Sequence, residues 1–180
     1  MRIISGTHKS RLIHPPMKLP VRPTTDFAKE SLFDVMNNYI DFNGLTVIDL
    51  FAGTGNISYE FASRGCEKVT AVDQDFLCTR FIEETKIKMS LNAIHVVKAN
   101  VFSFLRTTKI KYNIIFADPP YEMKGYEKIP ELVFGNDMLL PGGWLIIEHS
   151  RDTDFSNHEH LFQHRMYGKV NFSIFIAPEK

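Results

Sequence analysis

The chain has 180 residues, a length that predicts about one domain, and its 44% apolar and 23% charged content excludes a disordered tail or a fibrous repeat. Lysine plus arginine and aspartate plus glutamate each number 21, so the formal net charge is zero and no overall basic field marks a nucleic-acid binder. Two cysteines, Cys66 and Cys78, cannot build a disulfide framework or a four-thiolate zinc site, and the N-terminus lacks the apolar stretch of a secretion signal. No apolar run reaches bilayer-spanning length. The expectation is a cytoplasmic protein with no membrane partner.

The charge is uneven along the chain. The first 30 residues carry Arg2, Lys9, Arg11, Lys18, Arg22 and Lys29 against only Asp26 and Glu30, and the remainder carries the matching acidic excess. Residues 1–23 read as a basic arm: strand-like pieces at Arg2–Ser5 and Arg11–His14 flank Gly6, and a proline-rich linker follows. The whole of 1–180 is expected to form a single domain, with this hairpin arm at 1–23 and a core at 24–180.

The core opens with a helix, because Ala28, Leu32, Val35, Met36 and Tyr39 recur at helical spacing behind a Thr/Asp start, and Gly44 ends the stretch. Thr46–Phe51 is a nearly all-apolar strand of the kind buried on both faces. Asn56–Ser63 reads as helix, Lys68–Asp73 as strand, Phe76 to about Met89 as helix and His95–Lys98 as strand. Val101–Arg106 is a short helix, Tyr112–Asp118 a strand, Tyr126–Phe134 a helix, and Trp144–Glu148 a strand behind a Pro141-Gly142-Gly143 turn. Phe162–Tyr167 and Val170–Ile176 leave no room for a crossover and must pair antiparallel. The fold class predicted is α/β, a Rossmann-like, doubly wound and mostly parallel sheet with an antiparallel C-terminal hairpin.

In such a sheet, ligands settle outside the carboxyl ends of the strands. The first strand ends in Asp49-Leu50-Phe51-Ala52-Gly53-Thr54-Gly55, where Gly53 and Gly55 let the backbone approach a ligand closely. By itself a Gly-x-Gly fits a tight strand-to-helix turn as well as it fits a ligand loop. Asp73, twenty residues after Gly53, has the spacing at which a carboxylate accepts both hydroxyl protons of a ribose. The pair points to an adenosine-containing cofactor, NAD or S-adenosylmethionine. A pyrophosphate fingerprint wants a third glycine where Ser58 stands, so the loop leans toward S-adenosylmethionine, whose ammonium group an acidic Asp49 suits.

The fourth strand ends in Asp118-Pro119-Pro120-Tyr121. Two prolines fix the turn and present the Asp118 carboxylate and the Pro119 carbonyl as acceptors. Acceptors on both protons of an exocyclic amino group favour a pyramidal nitrogen and free its lone pair, while Tyr121 stacks on the base. Glu148 either bonds within this turn or caps a strand end. His158, His160 and His164 read as solvated surface and no metal is expected; the cysteines read as small buried hydrophobes.

On these residues the chain resembles the S-adenosylmethionine-dependent methyltransferases of the Rossmann-like class, and specifically the bacterial 16S ribosomal RNA guanine-N2 methyltransferases. The resemblance is carried by Met1-Arg-Ile-Ile-Ser-Gly6, Arg22-Pro-Thr-Thr-Asp26, Lys29-Glu-Ser-Leu-Phe33, Asp49-Leu-Phe-Ala-Gly-Thr-Gly55, Ser63-Arg-Gly65, Asp118-Pro-Pro-Tyr121 and the Ile147-Glu148 strand end. It covers roughly the first 150 residues. It implies that Asp49, Phe51, Gly53, Gly55 and Val101 line the cofactor, Asp73 its ribose and Asn100 its adenine amino group, and that Asp118 to Tyr121 hold the target guanine. Phe27 stands where such proteins usually place a basic residue, and Asn100 where an aspartate is more usual.

The function predicted is methyl transfer to the N2 amino group of a guanine in 16S rRNA, within a 30S subunit or an assembly intermediate, by a monomer. Arg2, Lys9, Arg11, Arg22, Thr24 and Thr25 would supply RNA contacts, mostly to phosphates. The rival functions are a DNA adenine-N6 methyltransferase and a non-catalytic RNA-binding or ribosome assembly factor.

Overall fold

The computed structural model describes residues 1–17, 19 and 25–179. The Thr25 hydroxyl accepts from the Ala28 amide at 3.2 Å and starts helix α1, Asp26–Asn37, whose inward stripe is Ala28, Lys29, Leu32, Phe33 and Met36. Thereafter strands and helices alternate. Strand β1 spans Thr46–Leu50, helix α2 Asn56–Ser63, β2 Lys68–Asp73, α3 Phe76–Met89 and β3 Ile94–Lys98. Helix α4 spans Val101–Thr107, β4 Tyr112–Ala117, α5 Ile129–Gly135, β5 Leu139–His149, β6 Leu161–Tyr167 and β7 Val170–Ile176.

The seven strands form one sheet in the order β3-β2-β1-β4-β5-β7-β6. Pairings among β1 to β5 are parallel, and β7 runs antiparallel to both β5 and β6. Chain order reverses between β1 and β4, so the crevice at the carboxyl ends lies there. Alternate residues of the strands feed two cores. Ile114, Phe116, Trp144, Ile146, Phe172 and Ile174 meet α1 and α2 on one face. Ile115, Ala117, Leu145, Ile147 and Phe175 meet α4 and α5 on the other. Among the described residues, no helix is long and apolar enough to cross a membrane.

The arm folds back on itself as a short hairpin: the Ile3 amide donates to the Arg11 carbonyl and the Ile13 amide to the Met1 carbonyl, both at 3.0 Å, around an antiparallel bridge of Arg2 with Leu12 and a 3-10 turn at Gly6–His8. The pairing is too short to make two full strands, and the rest of the arm's backbone is held by α2. The amides of Ile4 and Ser5 donate to Glu60 Oε2 and Oε1 on α2, at 2.8 and 3.0 Å. Ser63 Oγ donates to the Ser5 carbonyl at 2.6 Å and accepts from the His8 amide at 2.9 Å. Gly6 lies so close to α2 at φ +80° that a Cβ there would sit 1.8 Å from the Ser63 carbonyl oxygen, so no other residue fits this contact.

Several boundaries shift by one residue, and three move for a visible backbone reason. β1 stops at Leu50 because Phe51 turns into the left-handed region, φ +63°. β5 begins at Leu139, with Pro141-Gly142-Gly143 absorbed as an irregularity opposite Tyr112 and Ile114 rather than preceding the strand. The helix expected from Tyr126 starts as a 3-10 turn, Tyr126–Lys128, and becomes α-helical only where Pro130 enters its first turn.

Candidate active site

Beyond β1 the chain turns through Phe51, Gly53 and Gly55, all at positive φ. A Cβ on Gly55 would come within 2.7 Å of the Tyr59 ring, so the bend stays open only with glycine. The bend is held from β2: the Ala52 amide donates to the Val72 carbonyl at 2.9 Å and the Gly53 amide to Asp73 Oδ2 at 2.8 Å. Asp73 Oδ1 accepts from the Asp75 amide at 2.8 Å. Each oxygen of a carboxylate has two acceptor sites, so Asp73 can staple the loop and still receive a ribose hydroxyl.

Asp49 lies beneath the bend and is fully buried. Ser58 Oγ donates to its Oδ2 at 2.6 Å, so the serine in place of a third glycine holds the carboxyl group. Desolvation pushes the Asp49 carboxyl up to about 7, against the opposing pull of the Ser58 hydrogen bonds. Asn100 caps α4, its side-chain oxygen accepting from the Ser103 amide at 3.2 Å while its Nδ2 donates to Gln74 Oε1 at 3.2 Å. Asn100 and Gln74 stand exposed on the rim, and Val101 is buried behind them. The sequence reading missed Gln74, although its place immediately after Asp73 was the available signal.

The second wall comes from β4. Leu50 and Ala117 are paired in register, and the Asp118 amide donates to the Leu50 carbonyl at 3.3 Å, so the two walls spring from one rung of the sheet. The Met123 amide closes the Asp118-Pro119-Pro120-Tyr121 turn onto the Pro120 carbonyl at 2.8 Å. The Tyr121 hydroxyl donates to Glu148 Oε1 on β5 at 3.0 Å, which places Glu148 within this turn rather than on a strand-end cap. Burial and the neighbouring Glu148 raise the Tyr121 hydroxyl further, keeping it protonated as a donor. Tyr121 as a residue remains 46% exposed.

The proposed RNA contacts divide. Arg2, Lys9 and Arg11 are exposed on the arm, whereas Arg22 and Thr24 lie outside the described residues. Thr25 caps α1. Lys29, counted in the basic excess, is buried: its Nζ donates to the Arg2 carbonyl at 2.6 Å and to Asn56 Oδ1 at 2.8 Å, and lies 3.4 Å from Glu60 Oε2. Its helical register with Leu32, Phe33 and Met36 was the sign of burial. His158 and His160 pack around the Phe134 ring and His164 bonds Asn171. Among the described residues, no group of His, Cys, Asp or Glu suits a metal ion. Burial pushes both cysteine thiols up to about 12, which leaves them unreactive.

Residues 1–176 match the family described as conserved hypothetical protein 95. The ribosomal RNA small subunit methyltransferase D of Escherichia coli K12 is 30% identical over 148 residues, which is 82% of this chain and 74% of that protein. The hypothetical protein TTHA0928 of Thermus thermophilus superposes with a TM-score of 0.84 at 24% identity, covering 100% of this chain and 99% of that one. A 16S rRNA N2 methyltransferase of T. thermophilus, solved with AdoMet and guanosine, gives a TM-score of 0.69 at 19% identity, over 86% of this chain and 44% of that one. The fold is thus the Rossmann-like class I methyltransferase fold, and the chain belongs to the conserved hypothetical protein 95 family, among the bacterial ribosomal RNA methyltransferases.

Proposed function

We propose that this chain moves a methyl group from S-adenosylmethionine to the N2 amino group of a guanine in 16S rRNA, within a 30S subunit or an assembly intermediate. The observation that carries the reading is the shared rung of β1 and β4, which sets the glycine bend beside the Asp118-Pro-Pro-Tyr121 turn. The cradle suits the cofactor: an open bend at Gly53 and Gly55, acceptor capacity on Asp73 for the ribose, and the buried Asp49 carboxyl for an ammonium group. Bound there, S-adenosylmethionine supplies an electrophilic methyl on a sulfonium. Asp118 and the Pro119 carbonyl accept the two amino protons and aim the nitrogen lone pair, and Tyr121 stacks on the base with its hydroxyl anchored by Glu148. Asp118, or water, then takes the proton that the methylated nitrogen sheds. Relatives named as small-subunit ribosomal RNA methyltransferases favour RNA over DNA, and the neighbour solved in complex with guanosine favours guanine over adenine.

The test is tritium transfer from labelled cofactor to unmodified 30S subunits and to free 16S RNA, with nucleoside analysis. N2-methylguanosine is expected. N6-methyladenosine, or binding of S-adenosylhomocysteine without any transfer, would refute the proposal.

A pH dependence follows from Asp49. Below about 7 its carboxyl is protonated and offers no counter-charge to the cofactor ammonium; above it the carboxylate does. Cofactor affinity measured by calorimetry is therefore expected to rise about tenfold per pH unit up to about 7 and then level off. Asp49→Asn should bind weakly with a flat profile, and a wild-type profile that is itself flat would remove Asp49 from this role.

A further inference from the structure

We infer that Phe27 and Tyr167 form a stacking platform for an unpaired base of the ribosomal RNA near the target guanine. This deepens the function proposed above and rests on it. Phe27 sits in the first turn of α1 and is 67% exposed, whereas Ala28, Leu32, Phe33 and Met36 of the same helix are buried. Its ring meets the half-buried Tyr167 ring edge-to-face, with centroids 6.3 Å apart and planes at 86°. A bulky ring held outward by one aromatic neighbour presents a face to solvent, and every base has a π-face to lay against it.

The platform is continuous with the candidate site. Tyr167 packs on Phe172 at 6.2 Å, and Phe172 on Phe116 at 6.5 Å. Phe172 lies opposite Glu148, the partner of Tyr121, and Phe116 precedes Asp118 by two residues on the same face of the sheet. The row of rings therefore runs from the target-binding turn to α1. Tyr167 pairs with Val170 just beyond the level of Glu148, so both features stand at the carboxyl end of the sheet. From β4 to β6 is three strand spacings, about 14 Å, a reach suited to a nucleotide close to the target in an unstacked strand.

Charge selects the occupant. Arg165 and Lys169 are exposed on either side of Tyr167 in the β6–β7 hairpin and offer counter-charge to phosphates, while Met166 between them is 63% exposed. Asp26 and Glu30 neighbour Phe27 on α1, so the cations stand on the Tyr167 side of the platform, and rings with cations along one side match single-stranded nucleic acid whose phosphates pass the β6–β7 hairpin.

The experiment compares wild type, Phe27→Ala, Phe27→Leu and Phe27→Tyr. On unmodified 30S subunits, Phe27→Ala is expected to raise KM about 5- to 100-fold with kcat within about twofold. Phe27→Tyr should restore KM, Phe27→Leu should not, and all four should melt at similar temperatures. Independently of turnover, 16S rRNA transcribed with 5-iodouridine is irradiated with the protein and the adducts are mapped by mass spectrometry. An adduct on Phe27 or Tyr167 supports the platform, even if wild type transfers no methyl group, in which case the proposed reaction fails alone. An unchanged KM in Phe27→Ala, full rescue by leucine, or no adduct at either ring overturns it. So does a protein dimer in sedimentation that Phe27→Ala abolishes, since that would assign the rings to a second copy of the chain.

Discussion

Asp118→Ala is expected to lower kcat for methyl transfer about 10²- to 10³-fold, the cost of removing one preorganised group from a charge-stabilising site, with S-adenosylhomocysteine affinity within about twofold. The separation follows from where the residue stands. The hydrogen bond from its amide to the Leu50 carbonyl is backbone and survives the substitution, so the glycine bend keeps its neighbour. The carboxylate is what the target nitrogen loses. An amino group on a nucleobase is a weak nucleophile until its lone pair is aimed, so the loss falls on the chemical step rather than on cofactor binding. Tyr121→Phe tests the other half of the turn: it removes the bond to Glu148 and keeps the ring, and should lower activity far less than Tyr121→Ala. Single-turnover rates separate the two effects. Undiminished transfer by Asp118→Ala would remove the turn from the reaction.

The largest stability effect is expected at Glu60. Its carboxylate accepts from the amides of Ile4 and Ser5 and from Arg64 Nε at 2.8 Å, and pairs with Lys29 Nζ at 3.4 Å. The side chains of Lys29 and Glu60 have no exposed surface. Glu60→Ala would therefore leave a buried ammonium and two arm amides without this acceptor, and breaking a buried pair from one side costs about 3–5 kcal/mol. For a chain of this length that corresponds to a fall in Tm of about 6–20 °C. The double variant Lys29→Met, Glu60→Gln, which removes the charges together, should be more stable than Glu60→Ala. Limited proteolysis reports the same event locally, with early cleavage in residues 1–17 of Glu60→Ala. A Tm within about 2 °C of wild type would mean that the arm is held by its apolar contacts instead.

These two sites also mark how far the residues alone could be read. Helix α2, strand β2 and helix α3 begin and end where glycine, aspartate and apolar runs put them, because those signals act within a few residues. The glycine bend and Asp73 were legible for a similar reason, a spacing fixed by one strand, one helix and one strand. The arm was legible as a local reversal but not in its docking: its partners Glu60 and Ser63 lie more than fifty residues away, and a strand pattern cannot tell that the amides of Ile4 and Ser5 meet a carboxylate. Lys29 was misjudged because a charge count treats every lysine as solvated, while its helical face said otherwise. Glu148 stayed ambiguous until β5 was placed beside β4, since only the strand order brings it under Tyr121.

The sheet also constrains how the chain assembles. β7 fills the gap between β5 and β6 but follows both in sequence, so during synthesis each of those strands emerges with a raw edge that nothing yet covers. Val170–Ile176 covers the two facing edges, which makes those seven residues a plug against sticking to neighbouring chains. Truncation before Val170 is thus expected to yield insoluble aggregate rather than a smaller soluble enzyme.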